Sequence, residues 1–148
     1  MKKSFLISIT DSHESDGEKL VSEFSAPGEF AFGSDGFTIS YVEADPSMEG
    51  SVTTVECTGN RVVMTRRGAY STQLVLETGI RRTCYYDTPF GELVLGVYTR
   101  LIKADMTADG GILDLCYTLD FSGGPPSVNC LTIKVEKKEG INDVISSQ

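Results

Sequence analysis

The back half of the chain alternates apolar and polar residues in three consecutive segments. The most regular, Ile112–Phe121, places its apolar residues on one side: Leu113, Leu115, Tyr117, Leu119 and Phe121. The segment Val128–Glu136 repeats the pattern, and Leu93–Ala104 carries both Thr99 and Leu101 on its apolar side. A period of two is typical of strands with one buried face. The three segments therefore predict an antiparallel sheet wrapped around a core.

Turn signals built from Asp, Asn and Gly recur along the whole chain and separate further strand candidates. The candidates are Lys3–Thr10, Glu18–Ser25, Glu29–Gly33, Phe37–Glu43, Ser51–Cys57, Arg61–Arg66, Ser71–Glu77, Arg81–Tyr86, Phe90–Asp105, Gly111–Phe121 and Ser127–Lys138. Many strands at short, regular spacing indicate an all-β sandwich or barrel. We expect residues 1–138 to form one β-barrel domain and residues 139–148 a mobile C-terminal tail.

One candidate, Phe90–Asp105, is unusually long, since it would extend roughly 50 Å at about 3.3 Å per residue. A strand of that length must bend, and Gly96 in its middle is where we expect a bend or bulge. Long bent strands joined by tight hairpins favour closure, which also removes exposed sheet edges. The predicted fold is therefore an antiparallel up-and-down β-barrel.

The net charge of the chain limits the classes of partner, and its amino-terminal sequence indicates its location. The 148 residues carry a formal net charge of −8, which repels phosphate groups. We therefore expect neither nucleic acid nor an anionic membrane surface as a partner. After Met1-Lys2-Lys3, the apolar stretch is shorter than the about 7 to 15 residues of a secretory signal. The sequence thus predicts a cytoplasmic location.

The four cysteines Cys57, Cys84, Cys116 and Cys130 are scattered without a C-x-x-C pair. If the last two lie on neighbouring strands of a hairpin, counting back from Gly123-Gly124 opposes Cys116 to about residue 132. They would then be near each other but not directly opposite. We expect reduced, partly buried thiols, with two disulfides as the alternative.

Residue types that usually carry chemistry are sparse. The single histidine, His13, lies in an acidic segment that is typical of a solvated connection between two strands, and one histidine is a poor basis for a zinc site. A cysteine nucleophile would need a base that no second histidine can supply. Nucleotide-binding glycine patterns are missing as well. We expect no metal and no cofactor.

The alternation of side chains places several polar residues on the same face of a strand as a row of apolar residues. Glu43 continues the row of Phe37, Ile39 and Tyr41, and Arg66 continues the row of Val62 and Met64. If these rows face the interior, the candidate ligand-binding residues are Glu43, Arg66, Thr99, Tyr117 and Asn129. Two other interpretations stay open. Glu43 and Arg66 can simply pair with each other, and the interior can be filled by its own side chains.

Several motifs resemble those of the YwiB-like family of small bacterial proteins. They are Tyr41-Val42-Glu43, Met48-Glu49-Gly50-Ser51-Val52-Thr53-Thr54, Met64-Thr65-Arg66-Arg67-Gly68, Tyr86-Asp87-Thr88-Pro89-Phe90-Gly91 and Leu115-Cys116-Tyr117-Thr118-Leu119-Asp120. Their order and spacing extend over most of the chain. The resemblance implies a barrel similar to the calycins, which include the lipocalins. It implies no particular activity or cofactor.

Three functions remain in competition. The leading expectation is a non-enzymatic protein that binds a small apolar or amphipathic ligand in its barrel. The second is a protein-interaction or structural module that acts through its outer surface or an open strand edge and forms a homodimer. The third and least favoured is a hydrolase that works through a carboxylate such as Glu43.

Overall fold

The computed structural model describes residues 4–43, 50–68, 71–88, 91–121 and 126–138. Within these residues the chain forms ten strands. They are β1 Ser4–Ser15, β2 Glu18–Phe32, β3 Phe37–Val42, β4 Val52–Thr58, β5 Arg61–Arg67, β6 Thr72–Glu77, β7 Arg81–Thr88, β8 Gly91–Thr107, β9 Gly110–Phe121 and β10 Ser127–Lys138. The same residues contain no helix of the length and hydropathy that a membrane span requires.

The strands form one closed barrel in which each strand pairs antiparallel with its neighbours in sequence. The barrel closes where β1 pairs with β10, from Ser4 opposite Lys138 to Glu14 opposite Val128. This arrangement confirms the predicted all-β, up-and-down barrel. The weakest seam lies between β6 and β7, whose described residues pair at Thr72 and Tyr86 alone.

The first hairpin is longer than the sequence predicts. The acidic segment around His13 continues β1 as a paired strand up to Ser15, and the chain turns at Asp16-Gly17. The prediction of a connection is therefore wrong for this segment, although Asp11, His13 and Glu14 are exposed to solvent as predicted. Two strand candidates also merge into the single strand β2, even though Pro27 and Gly28 separate them. Pro27 is tolerated because β3 begins to pair with β2 only at Gly28, so one side of the strand is open there.

The long strand β8 bends at a different place from the predicted one. Its register with β9 shifts between Thr99 and Leu101, because Thr99 pairs with Tyr117 whereas Leu101 pairs with Cys116. The extra residue, Arg100, reverses the faces beyond it. Leu101 is consequently 42% exposed, and Ile102 packs against the core instead. The prediction that Leu101 lies on the buried side is wrong.

Gly96 has another role. It lies opposite Asp120, and a Cβ atom there would collide with the side chains of Arg81 and Asp120. Those two side chains form an ion pair across the outer face, with Arg81 Nη2 2.6 Å from Asp120 Oδ2. A larger residue at position 96 would therefore have to displace this ion pair.

Cys116 and Cys130 lie directly opposite each other and form a disulfide, with their Cα atoms 4.2 Å apart. Register counting placed Cys116 opposite residue 132, two positions away, so the prediction of unpaired thiols is wrong for these two cysteines. Parity is unaffected by a shift of two residues, and the faces of β9 and β10 are as predicted. Cys57 and Cys84 are free and buried.

The interior is filled over most of its length by inward-facing aliphatic side chains. The fully buried ones include Ile7, Ile39, Val55, Val62, Leu76, Val97, Leu113, Leu115 and Ile133. These residues come from eight strands, so the core is the common interior of the barrel rather than a layer between two sheets. The predicted tail, residues 139–148, and the predicted start of the long strand at Phe90 lie outside the described residues.

Candidate functional site

The packed interior gives way to an open pocket of about 410 Å³. Its lining residues are Ile9, Asp11, Ser22, Phe24, Tyr41, Glu43, Met64, Arg66, Tyr117 and Leu131. A volume of this size lies within the about 300 to 1,000 Å³ that is usual for small-molecule sites. One part of the barrel interior is therefore filled by side chains and another part is open. The predicted pocket and the alternative of a filled interior both apply, each to a different part of the barrel.

Strand periodicity places these side chains together. Asp11 follows Phe5, Ile7 and Ile9 on the inward row of β1, and Glu43 continues the inward row of β3. Cross-strand pairing then aligns Ser22, Asp11 and Leu131 on β2, β1 and β10. On the other side of the pocket, Tyr41, Thr53 and Arg66 are aligned on β3, β4 and β5. The pocket therefore follows from register and alternation rather than from an inserted loop.

Glu43 and Arg66 form an ion pair that Thr53 supports. Arg66 Nη2 donates to Glu43 Oε2 at 3.2 Å, and the Thr53 hydroxyl donates to the same oxygen at 2.5 Å. Arg66 Nε also donates to Thr53 Oγ1, at 3.4 Å. The Glu43 side chain is 7% exposed and that of Arg66 26%. A carboxylate this deeply buried keeps its charge at low cost only when it is paired, and this network supplies the pairing.

Asp11 differs from Glu43 in having no hydrogen bond or ion pair among the described residues. The surrounding protein removes part of the hydration of its carboxylate, and this raises the pKa of Asp11 above its usual value. The charges of His13 and Arg66 lower that pKa, and the charge of Glu43 raises it. Asp11 is thus a partly desolvated acid at the accessible side of the pocket, close to three other ionisable groups.

Two tyrosines contribute neutral hydroxyl groups to the lining. Burial raises the pKa of Tyr117 to about 12. Burial, together with the charge of Glu43, also raises the pKa of Tyr41. Both phenols stay protonated at neutral pH and can donate hydrogen bonds without adding charge. The Tyr41 ring also lies 5.9 Å from that of Phe24, so this side of the pocket presents two adjacent aromatic rings.

The family model described as "Domain of unknown function (DUF1934)" matches residues 7–133, which include every residue that lines the pocket. The chain belongs to this family. It is 26% identical over 123 residues to the uncharacterized beta-barrel protein YwiB of Bacillus subtilis, covering 83% of this chain and 86% of that protein. The YwiB-like resemblance predicted from the motifs is thereby confirmed.

The fold of this DUF1934 protein also matches a solved structure. The crystal structure of the ywiB protein from Bacillus subtilis superposes with a TM-score of 0.81 at 24% identity. The superposition covers 91% of this chain and 92% of the other. At this level of identity the match establishes the shared barrel and carries no information about a ligand.

The structure brings together three of the five residues that parity singles out. Glu43, Arg66 and Tyr117 line the pocket, whereas Thr99 and Asn129 do not. Thr99 is buried and its hydroxyl accepts a hydrogen bond from the Glu77 amide at 3.2 Å. Thr99 therefore satisfies a backbone group of β6 and does not line the pocket.

Asn129 is not among the residues that line the pocket and belongs to a chain of polar side chains. Its Oδ1 accepts a hydrogen bond from His13 Nδ1 at 2.7 Å, and its Nδ2 donates to Ser127 Oγ at 3.1 Å. Together these bonds hold His13, Asn129 and Ser127 in one polar network on β1 and β10.

Asp11 is the main pocket residue that the sequence reasoning missed. Its signal was available, because Asp11 continues the alternation of Phe5, Ile7 and Ile9 by one step. The predicted first strand ends at Thr10 and therefore does not include Asp11. Across the part of the chain that the structure describes, no three His, Cys, Asp or Glu side chains are grouped closely enough to hold a metal ion.

Proposed function

We propose that this protein is a non-enzymatic binding protein that holds a small apolar or amphipathic molecule in the pocket of its barrel. The observation that carries the proposal is the 410 Å³ pocket above a packed core, lined by both apolar and charged side chains. Specific sites for small molecules commonly combine an apolar lining with a few fixed polar groups.

The lining divides into two parts that suit an amphipathic molecule. Ile9, Phe24, Met64 and Leu131 offer apolar and aromatic surface. The network of Glu43, Thr53 and Arg66 supplies polar atoms held in place by their mutual hydrogen bonds. Fixed polar groups beside apolar surface can orient a ligand at low entropic cost, because they do not need to reorganise on binding.

A pocket-filling substitution tests this proposal. Ser22 lines the pocket on β2, and a tryptophan there would occupy its volume. Ser25, three residues further along the same strand, lies on the outer face, where its hydroxyl is hydrogen-bonded to that of Ser8 at 3.0 Å. Ser25→Trp is therefore a matched control that adds the same side chain outside the pocket.

The measurement is binding of the neutral, apolar fluorophore N-phenyl-1-naphthylamine, followed by its fluorescence. We expect saturable binding to the wild type and to Ser25→Trp, and a loss of at least about tenfold in affinity for Ser22→Trp. Equal binding by both variants would locate the fluorophore elsewhere and contradict the proposal. Native mass spectrometry of the protein purified from its own host would then report the mass of any natural ligand.

A second candidate function, an interaction module, is favoured by apolar residues on the outer face of β7 and β8. Tyr85 and Val94 are directly opposite each other, and they are 57% and 52% exposed. Tyr98 on β8 is 40% exposed. Size measurement by light scattering over a concentration series tests the homodimer, with Tyr85→Ser as the variant expected to shift the protein towards the monomer. A wild type that stays monomeric throughout would exclude this homodimer in that range.

A further inference from the structure

The charges of the pocket are unequal, and this imbalance distinguishes between classes of ligand. Two carboxylates, Asp11 and Glu43, and one guanidinium, Arg66, line the pocket within the described residues. Arg66 is already paired with Glu43, at 3.2 Å. Because the pair is neutral as a unit, the carboxylate of Asp11 sets the net charge of the pocket.

The surroundings of Asp11 favour a cation over an anion. Its side chain is exposed at the pocket, and among the described residues it forms no hydrogen bond or ion pair, although the charges of His13 and Arg66 act on it. A cation placed beside it would pair with a carboxylate that has no ion-pair partner among the described residues, whereas an anion would meet both Asp11 and Glu43. The formal net charge of −8 also raises the local concentration of cations around the molecule.

The aromatic residues that line the pocket also favour a cationic ligand. The rings of Phe24 and Tyr41 lie 5.9 Å apart in the pocket, and the faces of aromatic rings attract cations. Tyr41 and Tyr117 stay neutral, so they do not alter the charge. Ile9 and Met64 line the same pocket and can accept an alkyl or aryl group.

We propose that the ligand is an amphipathic ammonium compound, with its cationic nitrogen at the Asp11 carboxylate and its apolar part against Phe24 and Met64. This inference rests on the proposed function, since it names the chemical class that the same pocket binds. Arg66 has the role of neutralising Glu43, which leaves Asp11 as the charge that selects the ligand.

Three compounds with the same chain test the inference: decylammonium, decanol and decanoate, each used below its micelle concentration. They differ in head-group charge and share the apolar part. Isothermal titration calorimetry at neutral pH measures their affinities for the wild type, Asp11→Asn and Asp105→Asn. Asp105 is exposed on the outer face of β8, so Asp105→Asn makes the same change in net charge outside the pocket.

We expect the wild type and Asp105→Asn to bind decylammonium at least about tenfold more tightly than decanoate. Asp11→Asn is expected to lower the affinity for decylammonium about tenfold and to leave that for decanol unchanged. Far-ultraviolet circular dichroism of the variants verifies the fold.

Other outcomes separate the two proposals. Binding of decanol without a preference for decylammonium, tighter binding of decanoate, or an equal effect of Asp105→Asn would overturn the ammonium inference and leave the pocket proposal standing. If none of the three compounds and no N-phenyl-1-naphthylamine binds to the wild type, the ligand-binding function itself fails.

Discussion

At the scale of single residues, the pocket contains two acids in opposite circumstances. Glu43 accepts hydrogen bonds from Arg66 and Thr53, whereas Asp11 has no partner of this kind among the described residues. The partial loss of hydration around Asp11 raises its pKa, so the ionised form of Asp11 opposes folding. This cost is small, because the side chain of Asp11 is exposed to solvent.

Asp11→Asn should stabilise the protein without ligand, and the gain should depend on pH. Because the pKa of Asp11 is higher in the folded than in the unfolded state, its ionisation lowers stability as the pH rises from about 3.8 through the raised pKa. The free energy of unfolding of the variant should equal that of the wild type at acidic pH. At neutral pH it should be higher by at most about 1 kcal/mol, since solvent reaches the side chain. Urea denaturation at several pH values measures this. A gain that is the same at every pH would contradict it.

Removing one partner of the Glu43–Arg66 pair should lower the free energy of unfolding more than replacing both partners by apolar residues. Arg66→Met leaves Glu43 buried without its cation, and we expect a loss of about 2 to 3 kcal/mol in the free energy of unfolding. Glu43→Leu combined with Arg66→Met should recover most of that loss, because no charge is then left unpaired.

Urea denaturation of the two single variants and the double variant completes this cycle. The exposed pair of Arg81 and Asp120 is the control, and Arg81→Met should cost less than about 1 kcal/mol. Additive losses at Glu43 and Arg66 would show that the two side chains are not coupled.

At the scale of elements, β9 and β10 are joined twice, by their ladder and by the disulfide between Cys116 and Cys130. Both cysteines are on the outer face, opposite the inward row of Leu115 and Leu131, so the disulfide lies outside the core. Disulfides persist in oxidising compartments and are uncommon in the cytosol. The cytoplasmic location inferred from the amino terminus stays a prediction.

Reduction of this disulfide should lower stability without changing the fold. The two cysteines are 14 residues apart, and closing a loop of that length is worth about 3 kcal/mol in the unfolded state. We expect the reduced protein, or Cys116→Ser with Cys130→Ser, to lose about 5 to 10 °C in melting temperature. Thiol titration of the denatured, oxidised protein should find two free thiols, those of Cys57 and Cys84. Four free thiols under oxidising conditions would contradict the pairing.

At the scale of the whole molecule, the barrel is not equally strong around its circumference. β1 pairs with β10 over eleven positions, from Ser4 to Glu14, whereas β6 and β7 share one described position. Across this seam, Arg82 forms an ion pair with Glu77. The turn between the two strands binds β8 instead, where the amide of Gly79 donates to the carbonyl of Thr99 at 3.0 Å.

Hydrogen exchange should reveal this seam. Backbone amides of β6 and β7 that face each other lack ladder partners over most of their length, so they should exchange faster than amides between β1 and β10. Exchange measured by NMR or mass spectrometry at neutral pH distinguishes the two regions. Uniform protection around the barrel would show that the seam is closed in solution.

The residue pattern alone determined much of this fold. Alternation identified the strands and the inward rows, because a side-chain period of two is a local property of an extended chain. It also placed Glu43, Arg66 and Tyr117 on inward rows, and all three line the pocket. The motifs from Tyr41 to Asp120 indicated the correct family.

Only the tertiary structure decided the rest, because it depends on contacts between residues distant in sequence. The bulge at Arg100 arises where the turn after β6 binds Thr99, and it reverses Leu101 and Ile102. The two-residue shift that pairs Cys116 with Cys130 depends on the register of β10. The extent of β1 beyond Thr10, supported by β2 and β10, places Asp11 in the pocket. Local alternation specifies which way a side chain points, and the partner strands determine what it meets.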